Sequence, residues 1–116
     1  MTSIGTISGQ RRAHVTRSTL ETQIEATVDL DDGPVTARTG VPFLDHMLDA
    51  LGRHGKLGIE LTCVGDATMD PHHTVEDVGI ALGQSVREAL GERRGIARYG
   101  HAYAPLDEAL ARVEPR

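Results

Sequence analysis

From Arg11 onward the chain alternates between apolar and polar positions. In RRAHVTRSTLETQIEATVDLDDG, Ala13 and Val15 share one parity, then Ile24, Ala26 and Val28 share one, each set with polar residues between its members. A period of two predicts half-buried strands. Glu21 is expected on the polar parity of the second of these strands. DLDDG (29–33) is a turn signal, and the short strand PVTARTG (34–40) follows it, so the second and third strands are expected to form a hairpin. The period then changes. In VPFLDHMLDALGRHG (41–55), Leu44, Met47, Leu48 and Leu51 make one helical stripe, with Pro42 suited to a first turn and Gly55 to a stop. KLGIELTCVGD (56–66) returns to alternation through Ile59, Leu61 and Cys63. In PHHTVEDVGIALGQSVREALGERRG (71–95), Val75, Val78, Leu82, Val86 and Ala89 make a second helical stripe ending near Gly91. The order βββ-α-β-α predicts an α+β fold, one sheet with two helices on one face.

The two ends stand apart from this pattern. Residues 1–9 are small and polar and are expected to form a loose arm. PLDEALARVEPR (105–116) reads as one more strand. Laid against TLETQIEATVDL (19–30), its Leu106, Asp107, Leu110 and Val113 fall on Leu20, Glu21, Ile24 and Thr27, a weak self-similarity. The expected division is an arm (1–9), one folded unit (10–98) and the beginning of a second copy of it (99–116).

Composition narrows the class. Hydrophobic residues make up 39% of the 116 positions, enough for a packed core. Aromatic residues are only 3% and Trp is absent, so that core must be aliphatic. A net charge of −5 without a basic block argues against a nucleic-acid partner. Cys63 is the only cysteine, which excludes an intrachain disulfide and fits a reducing compartment. MTSIGTISGQRRAHV lacks the apolar segment of a signal peptide, and no stretch approaches the ~18 apolar residues of a spanning helix. The expectation is a cytoplasmic protein without a membrane partner.

The densest candidate chemistry is MDPHHTVEDVG (69–79). With Asp70 as N-cap and Pro71 at the first helical position, His72 and His73 lie in the first turn. His72 and Glu76 are then i, i+4, His73 and Glu76 i, i+3, and His73 and Asp77 i, i+4. Adjacent helical residues point about 100° apart, so the two histidines suit two ions, or one ion and a second partner, rather than one shared ion. A solvated acidic first turn, with Thr74 and Asp77 as an alternative cap, accounts for the same residues without any metal. His46 flanks the first helical stripe beside Asp45 and Asp49, and His54 follows eight residues later. Imidazole and carboxylate without paired thiolates suit Mn, Fe, Zn or Ni. The chain has no phosphate-binding glycine loop and no nucleophile elbow. Cys63 falls in an apolar strand, which makes it a core residue more readily than a nucleophile. Arg93, Arg94 and Arg98 in GERRGIARYG (91–100) can grip a phosphate, or simply make a solvated helix end.

TGVPFLDHMLDALGRHG, HHTVEDVGIALGQSVREALG and RGIARYG together resemble the imidazoleglycerol-phosphate dehydratase family, from about Arg12 to Arg112. The resemblance implies a carbon–oxygen lyase of histidine biosynthesis that converts imidazole glycerol phosphate to imidazole acetol phosphate with two manganese ions. It implies metal ligands at His46, His72, His73 and Glu76, with His46, His73 and Glu76 serving one ion and His72 the other. It implies a proton-transfer and substrate-binding glutamate at Glu21, a phosphate-side arginine at Arg98, and substrate-contact stretches containing His54 and Asp77. It also implies self-association into a large cage of octahedral symmetry. Two features depart from the family pattern. Pro71 precedes His72 where the family has an acidic residue, and the chain has one βββ-α-β-α unit where the family has two, the second carrying its own ligand set. The expectation is therefore an activity that needs an oligomer to complete the site. The alternative is an inactive metal-binding half of the enzyme.

Overall fold

The computed structural model describes residues 2–6, 11–65 and 71–114, the first of these segments in its backbone only. Nine elements follow one another: β1 (Thr2–Thr6), β2 (Arg12–Ser18), β3 (Thr22–Asp29), β4 (Val35–Arg38), α1 (Pro42–Gly55), β5 (Gly58–Gly65), α2 (His72–Leu90), β6 (Ala102–Leu106) and β7 (Ala109–Val113). The first five strands form one sheet in the order β1-β2-β3-β5-β4, and β6 and β7 form a separate two-stranded ribbon. The fold is α+β, as the periodicity implies.

The alternation becomes one buried face. Ala26 stands opposite Val15 and Leu61, Val28 opposite Ala13 and Ile59, and Ile24 opposite Cys63. All eight are buried. Leu48 of α1 and Val78 and Ala81 of α2 pack into the same aliphatic cluster, so both helices lie on that face. α1 lies over β4 and β5, while α2 lies chiefly over β2 and β3.

Four expectations need correction. Thr2–Thr6 is not a loose arm, because it pairs antiparallel with β2. Such pairing satisfies the row of backbone donors and acceptors that β2 would otherwise leave at an open edge. The rest of the expected arm lies outside the described residues.

The expected hairpin between β3 and β4 does not form. β5 lies between them, antiparallel to β3 and parallel to β4. The turn signal is real: the Asp31 amide donates to Asp29 Oδ1 at 2.9 Å, and Asp32 takes φ 99. The loop that follows, however, steps across the start of β5 instead of folding back. A Cβ on Gly58 would come within 2.9 Å of the Gly33 Cα, so the crossing requires glycine there.

The helix ends also shift. α1 continues through Gly55, and the left-handed cap residue is Lys56, at φ 56. α2 begins at His72 with Pro71 in the N-cap position and no side-chain cap; Asp70 lies outside the described residues. Its other end falls at Gly91, as expected. Finally, 105–116 is not a single strand. Pro105–Leu106 closes β6, and the chain turns at Asp107, with φ 51, to enter β7.

The helical stripes are only partly covered. Leu48 is buried and Leu44 half-buried, but Met47 and Leu51 are exposed. On α2 the buried face is Thr74, Asp77, Val78, Ala81, Ser85 and Ala89, while Val75 is exposed. The inner face of α2 is thus rotated from the most apolar stripe toward one that carries three polar residues.

Candidate metal centre

His72, His73 and Glu76 lie in the first two turns of α2. One ligand atom from each lies within 4.8 Å of the others. His72 Nε2 is 3.1 Å from a Glu76 carboxylate oxygen, one turn away. The two imidazole rings stand 5.3 Å apart, edge to face at 72°. A divalent first-row ion holds its donors at about 2.0–2.1 Å, so opposite ligands lie roughly 4 Å apart. The three donors thus lie near the separation that ligands of such an ion take. The side chains of His72 and Glu76 are 67% and 56% exposed, so an ion held here would keep coordination positions open. The start of a helix carries positive partial charge. The Glu76 carboxylate supplies the negative charge that offsets it for a cation. The donor set of two imidazoles and one carboxylate suits manganese and its neighbours.

Among the described residues this is the group that could hold a metal, and His46 is not in it. His46 is exposed on α1, over the other half of the sheet. Its neighbour Asp45 points inward and accepts hydrogen bonds from the Thr39 amide, at 2.8 Å, and hydroxyl. His54 is exposed in the last turn of α1, two turns beyond His46.

Glu21 is exposed and is not on a strand. It occupies the tight turn between β2 and β3, in which the Thr19 amide donates to the Thr22 carbonyl at 2.8 Å. A turn presents the carboxylate beyond the end of the sheet, where alternation no longer governs direction. Asp77 is buried, and its carboxylate points to the sheet. It accepts from Thr22 Oγ1 at 2.8 Å and from Arg17 at 3.4 Å, and Thr19 Oγ1 lies 3.5 Å away. It does not join the His72–His73–Glu76 group. Cys63 is buried close by, and its thiol is pushed up, first by burial and second by the Asp77 charge. It is a core residue, as its strand position implies.

Arg98 lies far from these groups. It lines an open cavity of about 1420 Å³ with Arg11, Arg87, Arg93 and His101, against the C-terminal half of α2. At about 1.5 Å per residue, Arg87 is about 21 Å along the helix from His73. Arg98 donates to the Arg93 carbonyl at 2.8 Å. Arg11 is engaged by Asp31 at 2.7 Å, and that ion pair holds the Asp31 carboxyl below its usual range.

Three residues were passed over in the sequence: Arg17, Thr19 and Thr22. Arg17 and Thr22 sit on the same inward parity as Val15 and Ile24, and a charge or hydroxyl on the buried parity of a strand is the signal that could have found them.

The sequence profile described as imidazoleglycerol-phosphate dehydratase matches residues 39–114. The chain belongs to the imidazoleglycerol-phosphate dehydratase family. It is 62% identical over 104 residues to the Ralstonia nicotianae imidazoleglycerol-phosphate dehydratase, covering 89% of this chain and 53% of that protein. It is 57% identical over 105 residues to the Pseudomonas paraeruginosa enzyme of the same name, at 90% and 53% coverage. Among solved structures, the Staphylococcus aureus imidazoleglycerol-phosphate dehydratase superposes with a TM-score of 0.66 at 36% identity, covering 89% of this chain and 56% of that one. The chain thus spans about half the length of the dehydratases it matches. No helix among the described residues is long and apolar enough to cross a membrane.

Proposed function

We propose that this chain contributes to the dehydration of imidazole glycerol phosphate to imidazole acetol phosphate in histidine biosynthesis, a cytoplasmic lyase reaction. His72, His73, Glu76 and, from α1, His46 serve as manganese ligands. The observation that carries the reading is the convergence of His72, His73 and Glu76 on a chain whose profile is that of the dehydratases. Bound manganese would stabilise negative charge delocalised into the substrate imidazole. The proton to be removed sits on carbon beside that ring and is barely acidic, so a positioned base is needed. Glu21 is the candidate: its carboxylate is exposed on a short turn and free to take or return a proton. His54 and Asp77 lie in the stretches proposed to contact substrate. Arg98 offers a planar fork of donors suited to the phosphate.

Arg98 and the histidines lie near opposite ends of α2. A substrate the size of imidazole glycerol phosphate cannot span that distance. A complete site therefore takes its metal end and its phosphate end from different units. Self-association supplies them, in a two-fold pair or in a cage of octahedral symmetry, because a closed symmetric interface presents each patch to its counterpart.

The test is a dehydration assay on the purified chain with added Mn²⁺, together with anomalous scattering from Mn²⁺-soaked crystals. An anomalous peak is expected within bonding distance of His72, His73 and Glu76. Binding should weaken below about pH 6, because ligand imidazoles must be neutral. Glu21→Gln should lower turnover with little change in folding stability. Absence of the peak would reject the metal assignment, and undiminished turnover in Glu21→Gln would remove that residue from the mechanism.

A further inference from the structure

We propose that Asp77 is a positioning residue which, through Thr22 and Thr19, ties the Glu21 turn to the first turns of α2, so that Glu21 and the His72–His73–Glu76 group are held as one body. The inference rests on the roles proposed above for Glu21 and the α2 cluster. It changes the place of Asp77 from substrate contact to internal support.

The hydrogen-bond accounting is specific. Each hydroxyl has one proton to give. Thr22 Oγ1 gives its proton to Asp77 Oδ2 at 2.8 Å. The Thr19 hydroxyl, 3.0 Å from Thr22 Oγ1, then donates to it. That leaves Thr19 Oγ1 as an acceptor, and the amides of Glu21 and Thr22 donate to it at 3.2 and 3.0 Å. A continuous chain therefore runs from the Glu21 backbone to the carboxylate that follows Glu76 in sequence. Arg17 approaches the other Asp77 oxygen at 3.4 Å and balances its charge.

Packing closes the same joint from the other side. A Cβ on Gly65 would lie 2.9 Å from Thr22 Cγ2, 3.0 Å from the Glu21 carbonyl oxygen and 3.3 Å from Thr74 Oγ1. The Glu21 turn, the end of β5 and the first turn of α2 thus meet at one point with no space for a methyl group.

An apolar pair at positions 22 and 77 would fill this space without desolvating a carboxylate, and well-packed apolar replacements of buried ion pairs are often no less stable. What the polar chain adds is direction. A carboxylate that must accept from Thr22 admits one placement of the turn, whereas apolar contact admits several.

The experiment compares wild type, Thr22→Val, which keeps the shape and removes the donor, and Thr22→Ser, which restores the donor. Amide hydrogen exchange is read residue by residue, and Mn²⁺-induced broadening is read at the amides of Leu20 and Glu21. Thr22→Val should speed exchange at Glu21 about ten- to a hundredfold, the loss of a hydrogen bond to a charged acceptor. It should also weaken Mn²⁺ broadening at Leu20 and Glu21, while Ala26 and Leu61 stay protected. Thr22→Ser should return both signals to near the wild type. Unchanged exchange at Glu21 in Thr22→Val, or no rescue by serine, would overturn the proposal. If Mn²⁺ broadens no amide near His72 and His73 in the wild type, the metal reading fails by itself, and exchange still decides whether the joint exists.

Discussion

The five-stranded body and the C-terminal ribbon are written in much the same alphabet, yet they end in opposite environments. In β3 and β5, one parity of Ile, Leu, Val, Ala and Cys disappears into a shared core. In the ribbon, the register places Ala102, Ala104, Leu106, Ala109, Ala111 and Val113 on one side, an uninterrupted apolar face. Every residue of β6 and β7 is nevertheless exposed. The body has two helices to cover its face. Among the described residues, the ribbon's strands pack chiefly on each other. Burial follows from the presence of a covering element, and alternation alone only prepares a face for one. Both candidate chemistries inherit the contrast: the histidines and Glu21 are anchored to the covered body, whereas Arg98 sits in the coil leading to the uncovered ribbon.

The contrast is sharpest for a large-to-small change in the core. Leu61 is 1% exposed, central in β5, and stands opposite Ala26 on one side and Ala37 on the other. With small neighbours on both flanking strands, little can collapse into the space its side chain vacates. Leu61→Ala should cost about 2–5 kcal/mol in urea unfolding. A cost below about 1 kcal/mol would mean that the body is packed as loosely as the ribbon.

A smaller effect comes from Cys63, in the same buried layer. Burial first, and the Asp77 carboxylate second, raise its folded-state pKa above the ordinary thiol value. The sign follows from proton counting. Below the unfolded-state value both states keep the proton, and the contribution is constant. As pH rises past about 9 the unfolded thiol ionises first, so the unfolded state binds fewer protons and stability falls. The loss continues until pH passes the raised folded value. Wild type should therefore lose more stability than Cys63→Ala between pH 8 and 10. Parallel pH profiles for the two proteins would show that the thiol ionises equally well folded and unfolded, and would place it outside the covered layer.

These elements also mark how far the sequence could be read. The parity of β2, β3 and β5, both helices, Pro42 at the start of α1 and the end of α2 at Gly91 all follow from local period and local chemistry. So does the proximity of His72 and Glu76, because i, i+4 spacing on a helix is itself a distance. What the pattern could not give was long-range pairing. A turn such as DLDDG announces a reversal, yet whether the next strand returns to its predecessor or admits β5 between them depends on Gly33 meeting Gly58, 25 positions away. The Asp77–Thr22–Thr19 chain was hidden for the same reason, since it joins residues 55 and 58 positions apart. Glu21 was placed on a strand because it stands one residue before β3 begins, and a boundary that close is not marked by local alternation.

The smallest expected effect tests the ribbon directly. Leu106 ends β6 opposite Ala109, and its side chain belongs to the uncovered apolar face. With 57% of its surface exposed it has little burial to lose. An isolated two-stranded ribbon is only marginally stable in water, so the ribbon's own folding contributes little to the global transition. Leu106→Ser should then shift the unfolding free energy by no more than about 0.5 kcal/mol, as for surface substitutions in general. Amides of β6 and β7 should exchange far faster than those of β3 and β5, because local opening there costs much less than global unfolding. A cost above about 2 kcal/mol, or ribbon amides protected as strongly as Ala26, would break the comparison, since either result requires that this apolar face is covered in solution as fully as the face beneath the helices.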